Sequence, residues 1–185
     1  MLLSLLFQIS CEWVHLYGPT RFLQSWDFYC KENSKRSMPS HLVSNQCITE
    51  LSKNYLANFA SDFEKNANFP HCIGAVDGKH IRITCPIRSG SMFFNYKDYY
   101  SVVLMAVADS KYRYIYVSVG SFGKDCDPSI FKQSTLWQSI LTNALQLPEE
   151  KCLPGTESPK VPYYFVGDEA FGLHTHLMRP TVDHI

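Results

Sequence analysis

Apolar residues change their spacing near residue 70, and the change divides the chain. Up to about residue 68 they recur at helical intervals, at Leu3, Leu6 and Phe7 and again at Leu51, Tyr55, Leu56 and Phe59. Between these runs KENSKRSMPS, residues 31–40, is polar and carries a proline near its end, as a loop would. Residues 1–68 are therefore expected to form a helical N-terminal region. From His71 the period shortens to two. HCIGAVDGKHIRI, residues 71–83, predicts a strand or a bent hairpin. SVVLMAVADS, residues 101–110, predicts a second strand, and KYRYIYVSVGS, residues 111–121, a third. In the third, Tyr112, Tyr114 and Tyr116 alternate with Arg113, Ile115 and Val117, as a sheet requires. The Asp109-Ser110-Lys111 link is short, so these two strands should form an antiparallel hairpin.

The spacing then returns to that of a helix. Asp127 is placed to cap it and Pro128 suits its first position. Ile130, Phe131, Leu136, Trp137, Ile140, Leu141 and Leu145 supply its apolar stripe. The proline-rich stretch 147–162 reads as a loop, and YYFVGDEAF, residues 163–171, as a fourth strand. HTHLMRP should begin a further helix or turn. The order strand, strand, strand, helix, strand, helix predicts an α/β fold with a mixed sheet over residues 69–185. In such an order the first and fourth strands can lie side by side and parallel, joined by the long helical crossover.

That neighbouring would bring Asp77, in the first strand, close to Asp168, at the end of the fourth. Two carboxylates a few ångströms apart repel, and burial sharpens the repulsion. A divalent cation between them relieves it. Mg²⁺ and Mn²⁺ take oxygen ligands, and paired ions clamp the attacking and leaving oxygens of a phosphodiester. The plainer alternative for Asp77-Gly78 is a tight turn with the carboxylate in water. Asp168 can likewise end a strand, and Asp127 can serve only as a helix cap.

Composition adds limits. The 185 residues hold 17 basic and 17 acidic side chains, so no overall basic excess draws the chain to nucleic acid. A basic run at Lys79, Arg82 and Arg88 lies beside the two-aspartate site all the same, and suits phosphates or a solvated face. Tyr96, Tyr99 and Tyr100 follow it, fit for stacking on unpaired bases or for packing on the sheet. His80 is three residues after Asp77, on the opposite face of a regular strand, while His174 and His176 form an H-x-H pair with no third ligand in view. The seven cysteines are odd in number and loosely spaced, as free thiols in a reducing compartment would be. The opening MLLSLLFQISC is apolar but lacks a basic flank, and no run reaches the ~20 residues of a membrane span.

Three blocks in order carry a family resemblance. FPHCIGAVDGKHIRI, then FFNYKDYYSVVLMAVADSKYRYIYVSVGSFGKDCDPSIFKQSTLWQ, then LPGTESPKVPYYFVGDEAFGLHTHLMRP resemble the conserved blocks of PIF/Harbinger transposases and their domesticated nuclease relatives. The resemblance covers residues 69–180. It implies an RNase H-like sheet and metal-dependent attack of water on DNA phosphodiesters, with Mg²⁺ or Mn²⁺ as cofactor. It makes Asp77 and Asp168 the catalytic acids, and Asp77, Asp127 and Asp168 the metal ligands. The family pattern runs on past LMRP to a basic helix holding a third acid, and this sequence stops at TVDHI. Glu169 is a poor substitute, since in a strand it points away from the face of Asp168. The nuclease domain over 69–185 is thus expected to be incomplete at its C-terminus. The competing expectation is a catalytically inactive remnant acting as a binding or interaction module. The resemblance further implies DNA as partner, a Myb-like DNA-binding protein as companion, the nucleus as location, and no membrane association.

Overall fold

The computed structural model describes residues 46–48 and 51–179, and the expectations at Leu3, Leu6, Phe7 and the 31–40 loop lie outside them. The elements are β1 (Gln46–Ile48), α1 (Lys53–Ala67), β2 (Cys72–Arg82), β3 (Ser101–Ala108) and β4 (Tyr114–Phe122), then α2 (Asp127–Gln133) and α3 (Thr135–Leu141). The short strands β5 (Lys151–Cys152), β6 (Lys160–Val161), β7 (Tyr164–Val166) and β8 (Leu177–Met178) complete the chain. Six strands make one mixed sheet in the order β1-β4-β3-β2-β7-β8, and β5 pairs with β6 separately.

The topology expected from the pattern is present. β2, β3 and β4 form an antiparallel meander, and β7 returns parallel to β2. Asp109 ties the β3–β4 link: its Oδ1 accepts from the backbone of Lys111 and Arg113, and its Oδ2 meets the Arg113 guanidinium at 2.6 Å. Buried at 1% exposure, it is a charge that survives because it is fully partnered.

Local details differ from the pattern. β2 is one continuous strand of 11 residues, so neither a bent hairpin nor a turn exists at Asp77-Gly78. The expected single helix is two, because Ser134 is extended and its side chain caps α3 by accepting from Trp137 N at 3.1 Å. The apolar stripe reads through this break, since the two short helices present Ile130, Phe131, Leu136, Trp137 and Ile140 to the same core, while Leu141 is exposed and Leu145 lies beyond α3. The expected fourth strand shrinks to β7, and the 147–162 loop contains the β5–β6 hairpin. The segment expected to start a helix or turn does turn at Thr175 and His176, closed by reciprocal backbone bonds between His174 and Leu177, and then enters β8, which extends the sheet parallel to β7. Gly167 N donates to Met178 O and Phe165 N to His176 O, so backbone pairing decides the matter. An irregularity in the β3–β4 ladder between Val107 and Ala108 also breaks the tyrosine alternation. Tyr116 joins the main core and Tyr114 the opposite one.

The main core lies between one sheet face and the helices α2 and α3. Ile73, Val76, Met105, Val107 and Phe165 meet Ile130, Phe131, Leu136, Trp137 and Ile140 there. Ile81, Leu104, Ala106, Val117 and Val119 cluster on the other face. α1 bridges two clusters: Leu56, Phe59 and Ala60 enter the main core, and Phe63 packs with Cys72, Ala75 and Ala108.

Candidate carboxylate site

The parallel register of β2 and β7 aligns the two aspartates. Ala75 pairs with Val166, and Asp77 and Asp168 each stand two residues further along. Paired residues of an antiparallel ladder share a face. Asp77, opposite Ala106, therefore faces the Ile81–Leu104 side, and Gly78, opposite Met105, faces the main core and α2. Each aspartate is held by a local backbone bond. Asp77 Oδ1 accepts from Gly78 N at 2.8 Å, and Asp168 Oδ1 accepts from Ala170 N at 3.0 Å in the turn after β7.

Asp127 enters from the α2 side. The helix is capped by Cys126, without a side-chain bond, and Asp127 is its first residue, so the expectation of Asp127 as the cap is displaced by one position. A carboxylate there still meets the positive end of the helix. Its carboxyl group lies directly over Gly78, where any Cβ would collide with it. Gly78 is thus a seat for Asp127, and the sequence, which offers Asp-Gly as ordinary turn chemistry, holds no local signal for that role. Asp127 Oδ1 is buried with no hydrogen-bond partner.

The three carboxylates act on one another. Burial, then the neighbouring Asp127 and Asp168, push the Asp77 carboxyl up to about 6, against the bond from Gly78. Burial and Asp168 push Asp127 up to about 6 as well. Among the described residues no group of three or more His, Cys, Asp or Glu side chains is gathered as a metal cluster. The donor set still suits a hard cation: all oxygen, partly buried, with one oxygen unpartnered.

These raised carboxyls give a pH dependence. An unfolded aspartate titrates near pH ~3.9. Between there and about pH 6 the folded state holds protons that the unfolded state has lost, so stability falls as pH rises through that window. With chelator present, the protein is expected to lose about 1–2 kcal/mol from this source, allowing for solvent screening. Asp127→Asn should remove part of the fall. Melting curves across the window check it, and an unchanged slope in the variant contradicts the coupling.

Several of the other sequence candidates have structural partners. His80 Nδ1 lies 2.9 Å from Ser101 Oγ, and the Arg82 guanidinium sits 4.2 Å above the Tyr99 ring. His176 Nδ1 lies 2.8 Å from Tyr163 O, and the His174 ring packs edge-on to Trp137. Tyr100 packs edge-on to Phe94. Glu169 is exposed, and its carbonyl accepts from Arg179. Cys72, Cys85, Cys126 and Cys152 are free thiols.

A mixed α/β sheet with one aspartate in a strand, one just past the end of the adjacent parallel strand and one at a helix start defines a class of acid-bearing α/β domains. The family model for DDE superfamily endonucleases matches residues 76–183, more than half the chain, and the chain belongs to that family. It is 32% identical over 127 residues to "Protein ALP1-like" of Arabidopsis thaliana, a match covering 68% of this chain and 31% of that protein. The Harbinger-type resemblance of the three sequence blocks agrees with both findings. The chain thus spans about a third of the curated relative it matches. No solved structure matches it. No helix among the described residues is long and apolar enough to cross a membrane.

Proposed function

We infer that this chain is a nuclease-derived domain acting on DNA phosphodiesters, built on an RNase H-like sheet. The observation that carries the reading is the partnerless, buried Asp127 Oδ1 beside two aspartates aligned by the β2–β7 register. Asp77, Asp127 and Asp168 would hold Mg²⁺ or Mn²⁺, with Asp77 and Asp168 as the catalytic acids. A bound divalent cation supplies Lewis-acid activation of water and of the phosphodiester oxygens. The chain's own contribution is to present the acids from rigid elements. β2 fixes Asp77, the turn after β7 fixes Asp168, and Gly78 leaves room for Asp127. In this reading the nuclease domain runs over 69–185, and the N-terminal region contributes β1 to its sheet and packs α1 against β2. Family membership supports DNA as the substrate. A Myb-like DNA-binding partner and a nuclear location rest on the Harbinger resemblance alone.

A plasmid-nicking assay in Mg²⁺ or Mn²⁺ tests the reading. The wild type should nick, and Asp168→Ala should lose at least about a hundredfold in rate. Nicking that survives Asp168→Ala overturns the site. An inert wild type that still binds DNA favours the interaction-module alternative.

A further inference from the structure

On the α2 side of β2, a second set of side chains lines up with Asp127. Gly78, His80 and Arg82 alternate onto one face of the strand, opposite Met105, Val103 and Ser101. Asp127 lies over Gly78, Tyr96 stands edge-on to His80 with ring centroids 5.5 Å apart, and Tyr99 carries Arg82 on its face. The row is roughly 14 Å long, the rise of four strand residues.

The turn that delivers Tyr96 is fixed from below. Asn95 is 3% exposed; its Oδ1 accepts from Lys97 N and Tyr99 N, and its Nδ2 donates to Ser101 Oγ. The same Ser101 Oγ meets His80 Nδ1. Yet Tyr96 itself is 78% exposed, with the Lys97 ammonium 5.3 Å from its ring centre. A large aromatic held out into water by a buried polar anchor is costly to order and contributes little to the core. Lys97 also lies close enough to act on the site: burial and then its charge hold His80 below its ordinary value, and its charge counters the upward pressure on Asp127.

We propose that Tyr96 and Lys97 form a subsite for single-stranded DNA flanking the cleaved position, Tyr96 stacking on an unpaired base and Lys97 meeting the adjoining phosphate. Stacking needs an exposed π-face and tolerates any base, and a cation beside that face meets the backbone phosphate. Duplex DNA offers no such face, because its bases are stacked on each other. Arg82, braced on Tyr99, continues the track for the backbone away from the carboxylates. The subsite deepens the nuclease reading and rests on it only for its role in cleavage, not for binding.

The test is binding of a fluorescein-labelled oligo-dT strand and of its duplex with oligo-dA, by anisotropy, to the full chain in chelator. Without metal, the outcome is independent of whether Asp77 and Asp168 hold a cation. Tyr96→Ala should weaken single-strand binding about tenfold, and Tyr96→Phe should keep most of it. Lys97→Ala should weaken it and flatten the salt dependence by about 0.7 in log–log slope. Tyr55→Ala, an exposed tyrosine on α1, should bind as the wild type does. Unchanged binding by Tyr96→Ala overturns the subsite. So does equal loss by Tyr96→Phe and Tyr96→Ala, equal loss for the duplex, or equal loss by Tyr55→Ala. Tyr96 is exposed enough that its variants should melt with the wild type, and melting curves confirm that each is folded.

Discussion

Asp77→Asn is expected to abolish the rise in Tm that Mg²⁺ or Mn²⁺ gives the wild type, and to cut nicking at least about a hundredfold. Asparagine has the same size, and its side-chain oxygen can still accept from Gly78 N, so packing in β2 is kept. What it lacks is the charge. A cation at about 100 times its Kd stabilises the folded state by about 2.7 kcal/mol, or roughly 5–10 °C in Tm for a domain of this size. Removing one of the oxygen donors from a set of three aspartates should erase most of that. In chelator the order should reverse. The Asp77 carboxyl sits at about 6 because burial and its acidic neighbours disfavour its charge, so above that pH the neutral variant should equal or exceed the wild type. Equal metal-induced shifts in both proteins would remove Asp77 from the site. A variant less stable than the wild type in chelator would show a packing defect and void the comparison, which makes both conditions necessary.

Phe131→Ala is expected to cost about 3–5 kcal/mol, a large part of the ~5–15 kcal/mol that holds a domain together. Phe131 is fully buried and stands at the junction of the site's supports. Its ring meets Trp137 on α3 at 5.3 Å, Phe171 after β7 at 5.9 Å and Phe165 on β7 at 6.5 Å. It thereby locks the helix that starts at Asp127 to the strand that leads to Asp168. Truncation leaves a cavity that three rings and a sheet cannot all collapse into. Denaturant unfolding should show a lower midpoint with little change in slope. Ile87→Ala, at 93% exposure, is the control and should stay within about 0.5 kcal/mol of the wild type. A cost below about 1 kcal/mol at Phe131 would mean that α2 and β7 are positioned by something else.

Much of the sheet was legible because its signals are local. β-branched and apolar runs marked β2 and β3, alternation marked β4, the short Asp109 link marked the β3–β4 hairpin, and the helical stripe marked the crossover that makes β7 parallel to β2. From that order alone Asp77 and Asp168 fall next to each other. The ordered motif blocks likewise pointed to the family that the comparisons identify. The break at Ser134 was not legible in the stripe, because both helices share one core and the apolar period runs across the gap. β8 was hidden for a related reason. Its two residues form a strand only because β7 offers them backbone partners, and nothing in HTHLMRP records that edge.

The sequence by itself determined the class of fold, the parallel neighbouring of β2 and β7, and the aspartates within the one and just past the other, since period and connection order constrain these whatever the details. Only the tertiary structure decided which groups those aspartates feel. Asp127 lies 50 residues beyond Asp77, yet packing α2 on the sheet sets its carboxyl over Gly78. Only there does Gly78 serve as a seat rather than a turn, and only there are Asp77 and Asp127 both withdrawn from water while each feels Asp168. The same holds for Tyr96, whose exposure depends on Asn95 being buried beneath it. Burial, electrostatic coupling and exposure belong to the space between elements, and a linear pattern does not encode that space residue by residue.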